Sequence, residues 1–142
     1  MPKECVFCKI ANKKAPASII YEDKSAIAFL DIRPVKMGHA LVVSKEHYKE
    51  IHDMPPAEVA KLFKAVKKVA DMVKQKTKAD GISLIQSNGR AALQSVPHVH
   101  VHIIPRFAKD KLRSAFVSLM KPLILKPSRG ELEDVAETIR TG

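Results

Sequence analysis

One stretch, Pro97-His98-Val99-His100-Val101-His102-Ile103-Ile104-Pro105-Arg106, leaves the chain little freedom in how it folds. Histidine and valine alternate through it, and β-branched residues favour strands. Side chains of a strand alternate faces with a period of two. His98, His100 and His102 therefore share one face, and Val99, Val101 and Ile103 share the other. One face can be packed in a core while the other presents a row of imidazoles. Half of the six histidines of the chain fall between residues 98 and 102. A strand written only for packing has no need of three of them.

The rest of the chain supplies partners for such a strand. Residues 18–21 and 25–31 read as two strands joined by the polar turn Glu22-Asp23-Lys24. Residues 39–43 read as a third strand, and 82–86 as a fourth that returns to the histidine strand through a loop at 87–95. Adjacent strands joined by short loops pair antiparallel. The clearest helix is predicted from about residue 56 to 78, where Val59, Leu62, Phe63, Val66, Val69, Ala70 and Val73 recur at helical spacing. Lys61, Lys64, Lys67, Lys68 and Lys74 cover its other face, as on a solvated surface. Residues 5–12 suggest a short helical turn. Ser44 to His47 resembles a capped helix start. Leu112, Ala115, Phe116 and Leu119 suggest a helix stopped by Pro122. Ser128 with Glu131 is a capping-box pair that opens a last amphipathic helix carrying Leu132, Val135, Ala136 and Ile139. Strands with one long inserted helix argue for an α+β domain rather than a doubly wound sheet.

A chain of 142 residues suits one domain with a core that needs no disulfides. No apolar run reaches the roughly 18 residues of a membrane span, so no membrane partner is expected. Met1 to Cys5 carries no hydrophobic signal core, so a cytoplasmic location is expected. The net charge of +10 favours anionic partners: nucleotides, nucleic acids or acidic proteins. A lysine-rich solvated surface gives the same balance. Aromatic residues are only 5% and tryptophan is absent, which weighs against single-strand nucleic-acid binding, where bases stack on aromatic platforms.

Two readings of the histidine row carry chemistry. Imidazole is a common metal ligand. Strand residues two apart lie roughly 6.5–7 Å apart, so two can converge on one ion more readily than three. A neutral imidazole is also a good nucleophile when its other nitrogen is held as a hydrogen-bond donor. Satisfied core or surface histidines are the third option. The only two cysteines form one pair, Cys5-Val6-Phe7-Cys8, whose spacing suits metal binding or redox work. No thioredoxin-like pattern surrounds it. Two ligands of a tetrahedral zinc site could come from it, with histidines supplying the others. Two reduced buried cysteines remain the plain alternative.

The pattern His98-Val99-His100-Val101-His102-Ile103-Ile104 resembles the signature of the histidine triad family, histidines alternating with apolar residues. Three further blocks resemble that family in the same order: Phe29-Leu30-Asp31-Ile32-Arg33-Pro34, then Gly38 to Val43 with His47, then Ser87-Asn88-Gly89-Arg90-Ala91-Ala92-Leu93-Gln94-Ser95. Together they cover about residues 5–107. The resemblance implies a five-stranded antiparallel sheet with one long helix and short N-terminal and C-terminal helices. It assigns 1–108 to the histidine triad domain and 109–142 to a C-terminal helical extension packed on it.

It also implies a nucleotidyl hydrolase or transferase acting on purine nucleoside 5'-monophosphate conjugates, namely phosphoramidates, dinucleoside polyphosphates or ADP-like nucleotides. His100 would attack the α-phosphate and form a covalent nucleotidyl-histidine, which water would release with no metal required. His102 would contact the α-phosphate, His39 would orient the nucleophile, and Gln94 would sit near the leaving-group oxygen. Ser95 would contact the leaving group by the same resemblance, and Asn88 the phosphate end. Asp31 would accept hydrogen bonds from the ribose hydroxyls, with Ile32 and Phe29 flanking the base. In members of the family with a comparable cysteine pair, the remaining ligands of a structural zinc correspond to His47 and His98. A homodimer with sheets joined edge to edge is implied as well. A nucleic-acid end is an alternative substrate that the composition does not favour, and a zinc-stabilised nucleotide-binding module without catalysis is an alternative function. In one respect the chain departs from the family pattern. Leu93 stands where glycine usually precedes the glutamine, and a leucine makes a positive φ or a close phosphate approach harder.

Overall fold

The computed structural model describes residues 5–110 and 125–141. A short helix α1 (Val6–Ala11) leads into a hairpin of β1 (Ile19–Glu22) and β2 (Ala26–Leu30), followed by β3 (Ala40–Ser44). After one 3-10 turn (Ile51–Asp53) comes the long helix α2 (Pro56–Thr77), then β4 (Gly81–Gln86), a second 3-10 turn (Arg90–Ala92), β5 (His100–Arg106) and the closing helix α3 (Arg129–Thr141). The strands form one antiparallel five-stranded sheet in the order β1-β2-β3-β5-β4.

Local chemistry explains the turns. Asp23 Oδ1 accepts the backbone N–H groups of Ser25 and Ala26 at 2.7 and 2.8 Å, which closes the β1–β2 hairpin. Pro56 begins α2, where its missing N–H costs nothing, and Lys78 ends it in the left-handed region at φ 59°. A single residue with positive φ suffices to close the helix there. Ser128 Oγ accepts from Glu131 N while Glu131 Oε1 accepts from Ser128 N, the reciprocal cap expected at the start of α3.

Ser44 to His47 does not open a helix. Ser44 ends β3 and its hydroxyl donates to the Glu46 carbonyl, so the chain turns there. The reciprocal cap lies at Glu50 and Asp53 instead, around the 3-10 turn. The helix expected through Leu112 and Leu119 lies outside the described residues.

Both faces of the sheet are covered, which is why β2 and β3 are buried at every position. On one side Leu62, Val66, Val69 and Val73 of α2 pack with Leu132, Ala136 and Ile139 of α3 against Ala28, Val42, Val99, Val101 and Ile103. Phe63, one residue off that stripe, is exposed. The valine side of the histidine strand thus faces the helices, as the alternation predicts. On the other side a smaller cluster joins Cys5, Phe7, Cys8 and Ile10 to Ile27, Phe29, Leu41 and Val43. The histidine side of β5 faces that second layer. No helix of the described residues is long and apolar enough to cross a membrane.

Candidate active site and metal-ligand cluster

β5 pairs with β3 in a register that sets Val43 opposite His100 and Leu41 opposite His102. His98 and His100 are 0% and 3% exposed, so each polar nitrogen needs a partner or a ligand. Those partners fix the tautomers. His100 Nδ1 lies 2.7 Å from the His98 carbonyl oxygen, which only accepts, so Nδ1 carries the proton and Nε2 is bare. The Val35 N–H donates to His39 Nδ1 at 3.1 Å, so the proton of neutral His39 is on Nε2. That Nε2–H donates to His102 Nδ1 at 3.0 Å, which leaves His102 with its proton on Nε2. One peptide N–H therefore sets two imidazoles in sequence.

Burial, with neighbouring imidazoles and Arg106 adding repulsion, pushes the His39 pKa down to about 3. Burial and then His100 take His102 down to about 4. Burial also lowers His100, against the pull of the His98 carbonyl. All three are neutral at pH 7. Groups with depressed imidazole pKa values take up protons in the unfolded chain before they do so in the folded one. Stability carried by His39 and His102 is thus complete above about pH 6.5 and is lost as pH falls toward 4 and then 3. A His39→Gln protein is expected to show a shallower fall in unfolding free energy between pH 6.5 and 4.5, measured by urea unfolding. An unchanged slope would contradict the assignment.

His100 and His102 line one end of a cleft of about 240 Å³. Phe7, Ile10, Phe29 and Leu41 form an apolar wall, Asp31 and Ile32 stand at its lip, and Ser95 and Val96 also line it. Phe7 sets its ring edge to face with Phe29 and with His100, with centroids 5.5 and 5.2 Å away. Asp31 Oδ1 accepts from Arg33 N at 2.9 Å, and Oδ2 is 3.6 Å from His39 Nε2. Burial raises the Asp31 pKa, opposed by the Arg33 N–H and charge. Ile32 is 55% exposed, an apolar side chain standing free beside the cleft.

The structure brings Phe29, Asp31, Ile32, Ser95, His100 and His102 to this cleft, with His39 directly behind His102. Gln94 and Asn88 do not line it. Gln94 Oε1 accepts from Gly89 N, and Nε2 donates to the carbonyls of Lys49 and Val96. Asn88 Oδ1 accepts from Ile51 N, and its amide exchanges hydrogen bonds with Gln86. Both side chains hold the loop that carries Ser95. Within that loop Leu93 sits in the left-handed region at φ 70° and ψ 29°. The backbone thus takes the conformation that glycine would adopt freely, and the leucine bears the strain of it. A Leu93→Gly protein is expected to be about 0.5–1 kcal/mol more stable in urea unfolding. Destabilisation would show that the half-exposed leucine side chain outweighs its backbone.

A second cluster lies behind the histidine strand. Cys5 caps α1, Cys8 lies within it, His47 follows β3 and His98 precedes β5. His98 Nε2 donates to the Ser44 carbonyl at 2.7 Å, so its bare Nδ1 faces the thiols, 3.3 Å from Cys5 Sγ and 3.5 Å from Cys8 Sγ. His47 Nδ1 is 3.3 Å from Cys8 Sγ and 3.2 Å from His98 Nδ1. All four donor atoms lie within 4.8 Å of one another. Edges of a tetrahedron with zinc bonds of about 2.3 Å to sulfur and 2.0–2.1 Å to nitrogen are about 3.3–3.8 Å long. The donor set and spacing fit such an ion. Burial and the neighbouring Cys5 push the Cys8 thiol up to about 11, a cost that a cation would remove. Asp31, His39 and His102 also converge, but the tautomers above use the imidazole lone pairs that a metal would need. His52, given no role by its sequence context, is exposed.

The features that sequence reasoning missed are mostly main-chain groups: the carbonyls of His98 and Ser44 and the N–H of Val35. No residue type announces them. Phe7 was hidden inside the cysteine pair, and Arg129 reaches the cleft rim from the C-terminal segment.

Comparison with known proteins agrees with this geometry. The chain is 48% identical over 106 residues to an uncharacterized HIT-like protein of Methanocaldococcus jannaschii, covering 75% of this chain and 81% of that one. It is 43% identical over 105 residues to an adenosine 5'-monophosphoramidase of Schizosaccharomyces pombe, covering 72% and 74%. The crystal structure of a Zn-bound histidine triad family protein from Mycobacterium smegmatis superimposes with a TM-score of 0.82 at 36% identity, covering 96% of this chain and 91% of that one. The HIT domain family pattern itself matches residues 12–109, and with that match the chain belongs to the HIT domain family.

Proposed function

We propose that the protein is a nucleotidyl hydrolase or transferase that cleaves purine nucleoside 5'-monophosphate conjugates through a covalent nucleotidyl-His100. The observation that carries this reading is the hydrogen bond from His100 Nδ1 to the His98 carbonyl, which leaves a bare Nε2 on a residue lining the cleft. In the first step the Nε2 lone pair attacks the α-phosphorus and the bond to the leaving group breaks. A leaving amine or phosphate departs with a proton from solvent. The imidazole becomes cationic as the bond forms, and the His98 carbonyl then faces a full positive charge. An interaction that strengthens in this way lowers the barrier. His102 donates Nε2–H to a phosphate oxygen, and the His39 relay keeps that proton in place. Water then attacks the phosphorus, His100 leaves as a neutral imidazole, and the nucleoside monophosphate is released.

Asp31 takes the ribose hydroxyls, since a carboxylate can accept two at once. Ile32 and Phe29 enclose the base, and Ser95 stands toward the leaving group. Support for the substrate class comes from a relative named as an adenosine 5'-monophosphoramidase. Cys5, Cys8, His47 and His98 hold a structural zinc, as their donor set and a zinc-bound relative suggest. Four protein ligands would leave such an ion no open position, so it would supply cross-linking rather than chemistry. The same reading makes the protein a cytoplasmic homodimer. In its support, β4 is an edge strand with Leu84 49% exposed, and exposed edges invite pairing. Light scattering in solution tests it.

Rapid quenching of a reaction with adenosine 5'-phosphoramidate, followed by intact mass measurement, tests the mechanism. The expected result is a transient gain of one adenylyl group, mapped to the peptide bearing His100. Steady AMP release with no such adduct at any time would reject the covalent route.

A further inference from the structure

Beside the cleft lies a second cavity of about 360 Å³, walled by Ile32, Arg33, Lys126, Pro127, Arg129 and Leu132. Ile32 and Arg129 line both spaces, so the two share a wall. Three of the six lining side chains are cations and none is an acid. Arg33, Lys126 and Arg129 are exposed, and among the described residues none of them forms an ion pair. Two acids within their field are engaged elsewhere. Asp31 feels the Arg33 charge but accepts a backbone N–H and turns toward His39. Glu133 feels Arg129 only weakly and pairs with Arg140. The described stretch from 125 to 130 carries Lys126 and Arg129 and no Asp or Glu. Like charges gathered on a concave wall repel one another unless an anion joins them.

The position of this cavity relative to the histidines says where the anion would sit. His100, His102 and Ser95 line only the first cleft. If a nucleotide binds there as proposed above, its α-phosphate is at His100 and its ribose at Asp31. The nucleoside end, with its ribose at Asp31 and its base at Ile32, then lies next to the basic wall, away from the leaving group.

We propose that Arg33, Lys126 and Arg129 form a subsite for a second phosphate carried on the ribose. The preferred substrates are then 5'-conjugates of nucleoside 2',5'- or 3',5'-bisphosphates. Guanidinium groups suit this task because they bind phosphate oxygens in pairs. The subsite rests on the nucleotide reading of the cleft, but it predicts a preference that the catalytic histidines do not.

Calorimetric titration of the full chain with AMP, ADP and the 2',5'- and 3',5'-bisphosphates of adenosine tests it, repeated on a Lys126→Ala/Arg129→Ala protein. At low ionic strength one bisphosphate isomer should bind at least about tenfold more tightly than AMP, and the favoured isomer identifies the ribose position. ADP carries the same added charge at the other end and should gain less than about threefold over AMP. In the double variant the bisphosphate preference should fall below about threefold while the ADP ratio stays put. Equal binding of AMP and both bisphosphates by the wild type would overturn the subsite. So would a bisphosphate gain matched by ADP, which a diffuse positive field would give, or a preference that survives in the variant. AMP release from adenosine 5'-phosphoramidate is assayed in parallel. A bisphosphate preference without turnover would reject the nucleophile and uphold the subsite, and no binding of any nucleotide would reject both.

Discussion

A His100→Ala protein is expected to release AMP from adenosine 5'-phosphoramidate at least about 1000-fold more slowly than the wild type, with KM changed by less than about threefold. The asymmetry follows from the geometry. Among the described residues lining the cleft, only His100 has a neighbour, the His98 carbonyl, arranged to stabilise a cation on the same ring as a bare Nε2. Losing it removes the covalent route entirely. The apolar wall, Asp31 and Ile32 are untouched, so ground-state affinity should persist. His102→Ala removes one hydrogen bond to the phosphate and should cost less, about 10- to 100-fold. The His100 ring is buried against Phe7, so its loss also opens a void. A His100→Gln protein, which fills more of that space and still lacks the imidazole, should be as inactive as the alanine variant. Thermal unfolding of both separates loss of the nucleophile from loss of the fold. Turnover within tenfold of wild type in either folded variant would remove His100 from the chemistry.

The same strand shows what a sequence can and cannot say. Its alternation gives the face of every residue from His98 to Ile103, because a period of two leaves no choice once Val99, Val101 and Ile103 seek the helix-side core. It does not distinguish the three histidines from one another. Their different roles come from what each meets on the far side. His98 meets two thiols contributed from the start of the chain, His100 meets a carbonyl two residues back, and His102 meets His39. The first and last are long-range contacts, and the second belongs to the backbone, where residue identity carries no signal. Resemblance to a family bridges this gap for His47, which lies far from Cys8 in sequence and 3.3 Å from it in space. The loop at 87–95 adds contacts that the sequence does not show. There the side chains of Asn88 and Gln94 bind main-chain groups of the loop and of the turn beside it. Helix starts are legible where the cap is reciprocal, as at Ser128 with Glu131. They mislead at Ser44, whose hydroxyl serves a turn.

Removing the metal is expected to be the second large effect, on stability first and on activity through it. Purified protein should carry one zinc ion per chain. A Cys8→Ala protein should carry none and be destabilised by about 3 kcal/mol or more in urea unfolding. The core beneath α2 and α3 contains none of the four ligands, so the sheet and long helix should persist. What loosens is the second layer: α1 with Cys5 and Phe7, the turn at His47, and the entry into β5. Hydrogen exchange should therefore quicken at residues 5–12 and 96–100 and change little in α2. The consequence for catalysis is indirect. In the proposed zinc site His98 would be a ligand, and it is also the residue whose carbonyl holds His100 Nδ1, while Phe7 lies against the His100 ring. Freeing α1 therefore releases both supports of the nucleophile. Chelation should reduce AMP release only as fast as the structure around α1 opens, and zinc should restore both together. Immediate loss of activity with the exchange pattern intact would instead point to a metal acting on substrate. A wild-type chain that binds no zinc, with stability equal to that of Cys8→Ala, would reduce the cluster to a buried thiol-imidazole network held by hydrogen bonds alone.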